Sequence, residues 1–374
     1  MNDSPEKAAR IARPMLNILT LTVGFIAVIL AGTVLKYAQS VFIPLIIAWL
    51  LSLALSPLVR LFQRWRIPSG ILLSLVLLLL MFLLYWIGMF ISSSAATFAR
   101  QIPEYQRTLG TILSDVVEKI SYHFDELSVE QINAEINQHL RRFAGQLLDV
   151  ISSLAGLITG LISNIVMIII ILAFILAGQK YSALKIHNAF SSETAKRVAT
   201  ISHSITTNLS YYIIMQTLIS ALTGLLVWLS CNLIGIDNAG TWGVLAFFLN
   251  FIPTIGSIIA GIPPVLLALV QFYPNVWPAV IAAVCIIIIN QVLGNIVTPK
   301  VMGDRLDLSP VVILLSLLFW GWLWGIIGAF LSVIIAASLK IVFEHIETLR
   351  PLAVFMSSGR NLPPPTKSTD ENPA

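Results

Sequence analysis

From Val198 to Pro299 the only Asp, Glu, Lys or Arg is Asp237, so about a hundred residues run almost without charge. The same stretch is rich in Asn, Gln, Ser, Thr, Gly and Pro, which an uninterrupted lipid-crossing helix has little use for. Within a bilayer no water is present to pair with a freed peptide group, so a broken helix persists there only where protein or a wet cavity satisfies it. The pattern therefore predicts helices interrupted at membrane depth and shielded by their neighbours. Its centre is "FLNFIPTIGSIIAGIPP", residues 248–264, with Asn250, three prolines and two glycines in an apolar run.

Composition places the rest. The chain of 374 residues is 57% hydrophobic and only 11% charged, where a soluble domain carries about 25%. It reads as an all-α, polytopic membrane protein with about eight membrane segments and lipid as its surroundings. The net charge of +4 implies no nucleic-acid partner, because the basic residues gather near helix ends. Cys231 and Cys285 stand alone in apolar runs, so neither a disulfide framework nor a metal site is expected. The first apolar run, from Met15 to Leu35, is long for a signal-peptide core and reads as a retained helix.

Along the chain, helix one is expected at 15–36, helix two at 39–59 and helix three at 71–91. With the Arg60, Arg64 and Arg66 cluster inside, the N-terminus is inside too and Lys36 is the only charge on the first outer turn. Residues 95–150 then lie outside as a small extracytoplasmic helical segment. There Leu109, Ile112, Leu113, Val116, Val117 and Ile120 keep a helical rhythm, and Ser128 to Gln131 offers a capping box. Helix four is expected at 154–176, helix five at 206–229.

From Trp242 to Phe251 there are ten residues, about 15 Å of helix and half of a ~30 Å hydrocarbon core. Pro253 cannot donate a backbone bond and Gly256 tolerates backbone conformations that other residues resist. The reading is a re-entrant hairpin over 242–271, followed by helix seven over 276–297. A second hairpin is expected over 310–339, with arms from Pro310 to Phe319 and Ile326 to Leu339 and a turn at "WGWLWG", Trp320 to Gly325. Helix plus hairpin occurs twice, from opposite faces, as in the inverted repeats of many secondary transporters. The competing reading makes 242–271 and 310–339 single crossing helices.

The candidate binding residues follow from the first break. Asn250, Pro253, Gly256 and Ser257 form its tip, while Gln216, Asn290, Gln291 and Asn295 on neighbouring helices can add hydrogen bonds to a solute. Gln291 and Asn295 share one helical face. Buried amides also serve as interhelical glue, so each of them has a structural reading beside the functional one. No acid or base lies within helix five, the first hairpin or helix seven. Asp237, Asp304 and Asp307 fall at membrane ends, and neither a zinc-protease motif nor a P-loop is present. An enzyme is not expected, nor is a cofactor.

The runs "FLNFIPTIGSIIAGIPP", "GNIVTPKVMGDRLDLSP", "LLFWGWLWGIIGAFLSV", "FIPLIIAWLLSLALSPLV" and "RWRIPSG" closely resemble the autoinducer-2 exporter family of bacterial membrane proteins, over nearly the whole chain. The resemblance implies a multi-pass protein of the bacterial inner membrane, a homo-oligomer, that releases autoinducer-2 or a related small polar solute. It also supports Asn250, Pro253, Gly256, Asn295 and Pro299 as pattern residues. Some relatives are described as sodium/proton antiporters, so substrate does not follow from family.

The expected organisation is a cytoplasmic N-terminus (1–14), scaffold helices (15–94), the outer segment (95–150), a helix with a cytoplasmic linker (151–204), a transport region (205–345) and a largely disordered cytoplasmic tail (346–374). Its expected function is secondary export of a small polar solute, autoinducer-2 being the example, by alternating access. The alternatives are a sodium/proton antiporter and a membrane scaffold that binds partners through its outer segment.

Overall fold

A computed structural model describes residues 22–64 save 25 and 28, isolated positions between 74 and 145, and residues 164–178, 181, 184–253, 255–303 and 306–359. The Ser128 to Gln131 capping box, Asp304, Arg305 and the tail beyond 359 lie outside the described residues, as do much of helix three and most of the 95–150 segment. The described residues form helices and short connections, with one isolated bridge pairing Leu308 and Ser357 and no strand. Four segments among them are long and apolar enough to cross a membrane: Gln39–Ser56, Ser192–Ile234, Trp277–Met302 and Pro310–Glu344. Their outer faces carry exposed Leu218, Leu233, Ile287, Leu315 and Trp322, the apolar exterior that lipid favours over water.

Helices α1 (Thr22–Tyr37) and α2 (Gln39–Arg64) are joined through Ala38 alone. The Ala38 amide bonds the Val34 carbonyl and the Phe42 amide bonds the Ala38 carbonyl, both about 3 Å, so helical bonding flanks the joint. An antiparallel helix pair needs a loop of about two to five residues. The separate outer turn expected around Lys36 is therefore absent, and with it the sequence argument for an inside N-terminus. The Lys36 ammonium instead lies over the Trp322 ring, 4.8 Å from its centroid, and the Trp324 indole donates to the Leu35 carbonyl at 3.1 Å. Lysine closed the apolar run in sequence, but an aromatic face accommodates its charge beside the helix.

Helix α3 covers Asn164–Gly178. Helix α4, Ser192–Ile234, has 43 residues and is far longer than the expected 206–229. Apolarity marks only the lipid-facing part of a helix; the first turns, with Glu193, Lys196 and Arg197, are helical but exposed. Gly235 ends α4 in the left-handed region at φ 85°, its amide bonding the Cys231 carbonyl.

Helices α5 (Ala239–Leu249) and α6 (Ile255–Gln271) fold back on each other. At their open end the Gln271 side chain accepts from the Asp237 amide at 2.9 Å and donates to the Gly235 carbonyl at 2.8 Å. The chain thus leaves this pair beside the point where it entered. Trp242, 1% exposed, anchors the pair in a core shared by α4, α5 and α6, and its indole donates to the Asp237 carbonyl. Helices α4 and α5 approach backbone to backbone, for a Cβ on Gly224 would meet the Gly243 carbonyl at 2.6 Å.

After α7 (Trp277–Gln291) come a π-helical turn (Val292–Val297) and the short α8 (Thr298–Met302). The long helical segment α9, Pro310–Glu344, is not straight: Gly325 has φ 64° and ψ −141°. Ser316 Oγ donates to the Ser332 carbonyl at 2.8 Å across sixteen positions, which a straight helix would hold about 24 Å apart. At its base Lys340 Nζ reaches the Leu306 carbonyl at 3.3 Å. Both segments for which hairpin and straight span were open are therefore helical hairpins. The arms of the second are longer than expected, because Trp320 to Trp324 remain helical and only Gly325 reverses the chain. A final helix, α10 (Arg350–Met356), follows.

The hairpins sit at opposite ends of α4. The first begins directly after its C-terminus, whereas the second is tied near its N-terminus by Arg197 and Glu347, 3.3 Å apart. The 95–150 segment touches the base of the first hairpin: the Tyr105 hydroxyl lies 3.1 Å from Asp237 Oδ2 and 3.0 Å from Gln101 Oε1, which also accepts from Asn238. Burial and the Asp237 charge push the Tyr105 phenol above its usual range, so it stays a donor. Tyr105→Phe is expected to cost about 1.5 kcal/mol and to speed hydrogen exchange at 239–245, measured by mass spectrometry in detergent.

Candidate solute-binding site

The first hairpin leaves its helical path at residues 250–253. The Asn250 and Ile252 amides continue the helical pattern to Ala246 and Leu249, and Gly256 closes the turn with a bond to the Ile252 carbonyl at 3.1 Å. At the break Gln216 Nε2 donates to the Asn250 carbonyl at 2.8 Å, and Pro253 has no N–H to offer it. Asn250 Nδ2 in turn donates to Ser220 Oγ at 3.0 Å. Gln216 and Ser220 are one turn apart on α4, so two side chains of one face hold the tip. The backbone at the break is thus met by a protein side chain, as a break at membrane depth requires.

Against this tip lies a cleft of about 820 Å³ between α4, α6, α7 and the second hairpin. Seven of the eight residues named from sequence line it: Gln216, Asn250, Pro253, Ser257, Asn290, Gln291 and Asn295. Gly256 does not. Its place is the inside of the turn, where a Cβ would stand 1.7 Å from the Leu249 carbonyl oxygen, so its role is close packing and not solute contact. Tyr212 and Thr298 line the cleft as well, and Ser220, fully buried, fixes Asn250. Sequence reading missed all three. Ser220 was traceable as the residue one turn after Gln216, while Tyr212 and Thr298 carried no sign.

Not every amide is available. Gln216 and Asn250 have each committed one N–H to the tip, leaving the second N–H and the amide oxygen of each. Asn295 Nδ2 donates to Gln291 Oε1, which leaves both Gln291 N–H groups, the second Asn295 N–H and the Asn295 oxygen. Asn290 and Ser257 engage no partner among the described residues. Among the described residues the cleft therefore offers donors and acceptors from neutral groups, beside aliphatic Ile258, Ile262, Val265 and Ile286, and none of those that line it is Asp, Glu, Lys or Arg.

The π turn gives Asn295 its setting. Pro299, one turn later, cannot donate to the Asn295 carbonyl, and in a regular helix its ring would crowd that oxygen. The wider turn relieves the clash, with Thr298 Oγ1 donating to the Leu293 carbonyl at 2.7 Å. Single π turns of this kind gather at functional sites.

A second chamber of about 520 Å³ shares Tyr212, Thr298, Met302, Leu306 and Leu308 with the cleft and extends it toward the base of the second hairpin. Among the described residues that line it, Asp307 is the charged side chain. It pairs with Lys340 at 3.1 Å and accepts from the Ser358 amide and hydroxyl. Burial works to raise the Asp307 carboxyl, but the hydrogen bonds from Ser358 and Lys340 and the Lys340 charge outweigh it and hold the group below the usual carboxylate range.

The sequence compares directly with known proteins. The family model described as AI-2E family transporter matches residues 19–348. The AI-2 transport protein TqsA of Escherichia coli (strain K12) is 28% identical over 355 residues, 92% of this chain and 98% of that one. A protein of Borreliella burgdorferi, provisionally named for transport, is 31% identical over 329 residues, 87% of each chain. YhhT of Escherichia coli (strain K12), also provisionally named for transport, is 28% identical over 91% of this chain and 95% of its own. With its apolar helices, its two hairpins and a family match over nearly the whole length, this chain belongs to the AI-2E family of transporters and is a multi-pass integral membrane protein.

Proposed function

We propose that the protein exports a small, uncharged, hydroxyl-rich solute across the bacterial inner membrane by alternating access, and that this solute is autoinducer-2. The observation that carries the reading is the cleft itself: neutral amides and hydroxyls at a helix break, with no fixed charge among the described residues that line it. A hydroxylated solute can both donate to and accept from such groups, whereas an ion entering would lose its water without gaining a counter-charge. The relationship to TqsA, named for AI-2 transport, supports the choice of solute.

Both hairpins are read as re-entrant and as halves of an inverted repeat, the first entering from the outer face and the second from the cytoplasmic face. Lys196, Arg197 and Lys300 gather at the second hairpin's end of α4, which by the positive-inside bias is cytoplasmic, and the C-terminus with it. The cleft and its second chamber then open inward, and the first hairpin bars the way out.

Purified protein in liposomes tests this with labelled autoinducer-2, with and without sodium and pH gradients. Asn290→Ala and Asn295→Ala are each expected to lower the initial flux about tenfold, the worth of one well-placed hydrogen bond. Equal flux in both variants and the parent sinks the site; flux of sodium or protons alone sinks the solute.

A further inference from the structure

The hairpins pack along α4 but hardly against each other, and they meet at an aromatic contact. Phe251, at the turn of the first, stacks on Phe330, five residues past the turn of the second. The ring centroids are 4.3 Å apart and the planes inclined by 23°. Phe247 braces Phe251 edge-on at 5.6 Å. Both rings adjoin the cleft: Asn250, immediately before Phe251, and Val333, one turn after Phe330, line it.

Resting on the transport reading above, we propose that the Phe251–Phe330 stack is the gate that closes the cleft on the side away from the Asp307 chamber. Two flat apolar rings exclude water and polar solutes, yet no hydrogen bond or ion pair is left unmade when they part. The tip carrying Phe251 is tied to α4 through Gln216 and Ser220, whereas among the described residues the second hairpin's hydrogen-bonded tie to α4 lies at its base, Arg197 to Glu347, and none holds the Phe330 end. Opening therefore moves the second hairpin along α4 and leaves the first tip in place. Phe251 and Phe330 are gating residues; they are not among those that line the cleft.

The test reads access and needs no solute. Cys231 and Cys285, the free thiols, are replaced by alanine, and Ser257→Cys places one thiol in the cleft. A membrane-impermeant methanethiosulfonate reagent is applied to each face of oriented vesicles. With both rings present, labelling is expected from one face only. Phe251→Ala with Phe330→Ala is expected to raise labelling from the other face about tenfold, as the loss of an aromatic pair allows. Phe330→Ala alone, which leaves the first tip intact, is expected to do the same and serves if the double variant does not fold. Two-sided labelling in the parent, or one-sided labelling that survives removal of the rings, overturns the gate. Failure of autoinducer-2 flux with these labelling results intact overturns the choice of solute and leaves the gate standing.

Discussion

Replacing Gly256 or Gly328 by alanine is expected to destabilise the protein by about 3 kcal/mol or more, at the upper end of overpacking costs, and to abolish transport. A Cβ on Gly256 would stand 1.7 Å from the Leu249 carbonyl oxygen, and one on Gly328 would stand 1.8 Å from that of Trp320. The obstacle in each case is main chain, which cannot rotate away as a side chain would. Only opening the turn makes room, and in the first hairpin that pulls Asn250 off Gln216 and Ser220. Thermal unfolding in detergent, followed by tryptophan fluorescence, measures the cost. An alanine at Gly294, where a Cβ would meet nothing within 4 Å, should unfold like the parent. Parental stability in both Gly256→Ala and Gly328→Ala would show that the turns are looser than described.

Lys340→Met is expected to cost about 3–5 kcal/mol, the range for removing one partner of a buried ion pair. Lys340 is 4% exposed and spends its three donors on Asp307 at 3.1 Å, Glu344 at 3.1 Å and the Leu306 carbonyl at 3.3 Å. Methionine fills the space of the stem but strands the Asp307 carboxylate. Lys340→Met combined with Asp307→Asn should therefore lose less than Lys340→Met alone, and a double variant that loses more would show that the pair is not the source. The pH dependence has a definite sign. The Asp307 carboxyl is held below its unfolded value, so its contribution is fully present above about pH 4, the unfolded carboxylate value. It fades as pH falls through the depressed folded value. Denaturant midpoints should accordingly show no Asp307-dependent change between pH 8 and 5 and a loss only in stronger acid.

The first hairpin was legible because its causes are local. Pro253 removes a donor, Gly256 permits the turn, and ten residues before it are too few to span. The second was harder to locate. "WGWLWG" offers two glycines, and which one reverses the chain depends on what packs against the arms, so Trp320 to Trp324 read as turn although they are helix. The amide cluster was legible as residue types and spacing. Its hydrogen-bond economy was not, because the pairing of Gln216 with Asn250 spans 34 positions in the chain. The full length of α4 and the joint at Ala38 escaped for a common reason: charge marks where a helix leaves lipid, and helices continue past that point.

Because α4 reaches from the Arg197–Glu347 contact to the mouth of the first hairpin, both halves of the machine are mounted on one rigid strut. Forty-three residues of helix extend about 64 Å, and such a rod changes length very little. Any travel of the second hairpin is thus measured against the same ruler that positions the first, and needs no messenger between them.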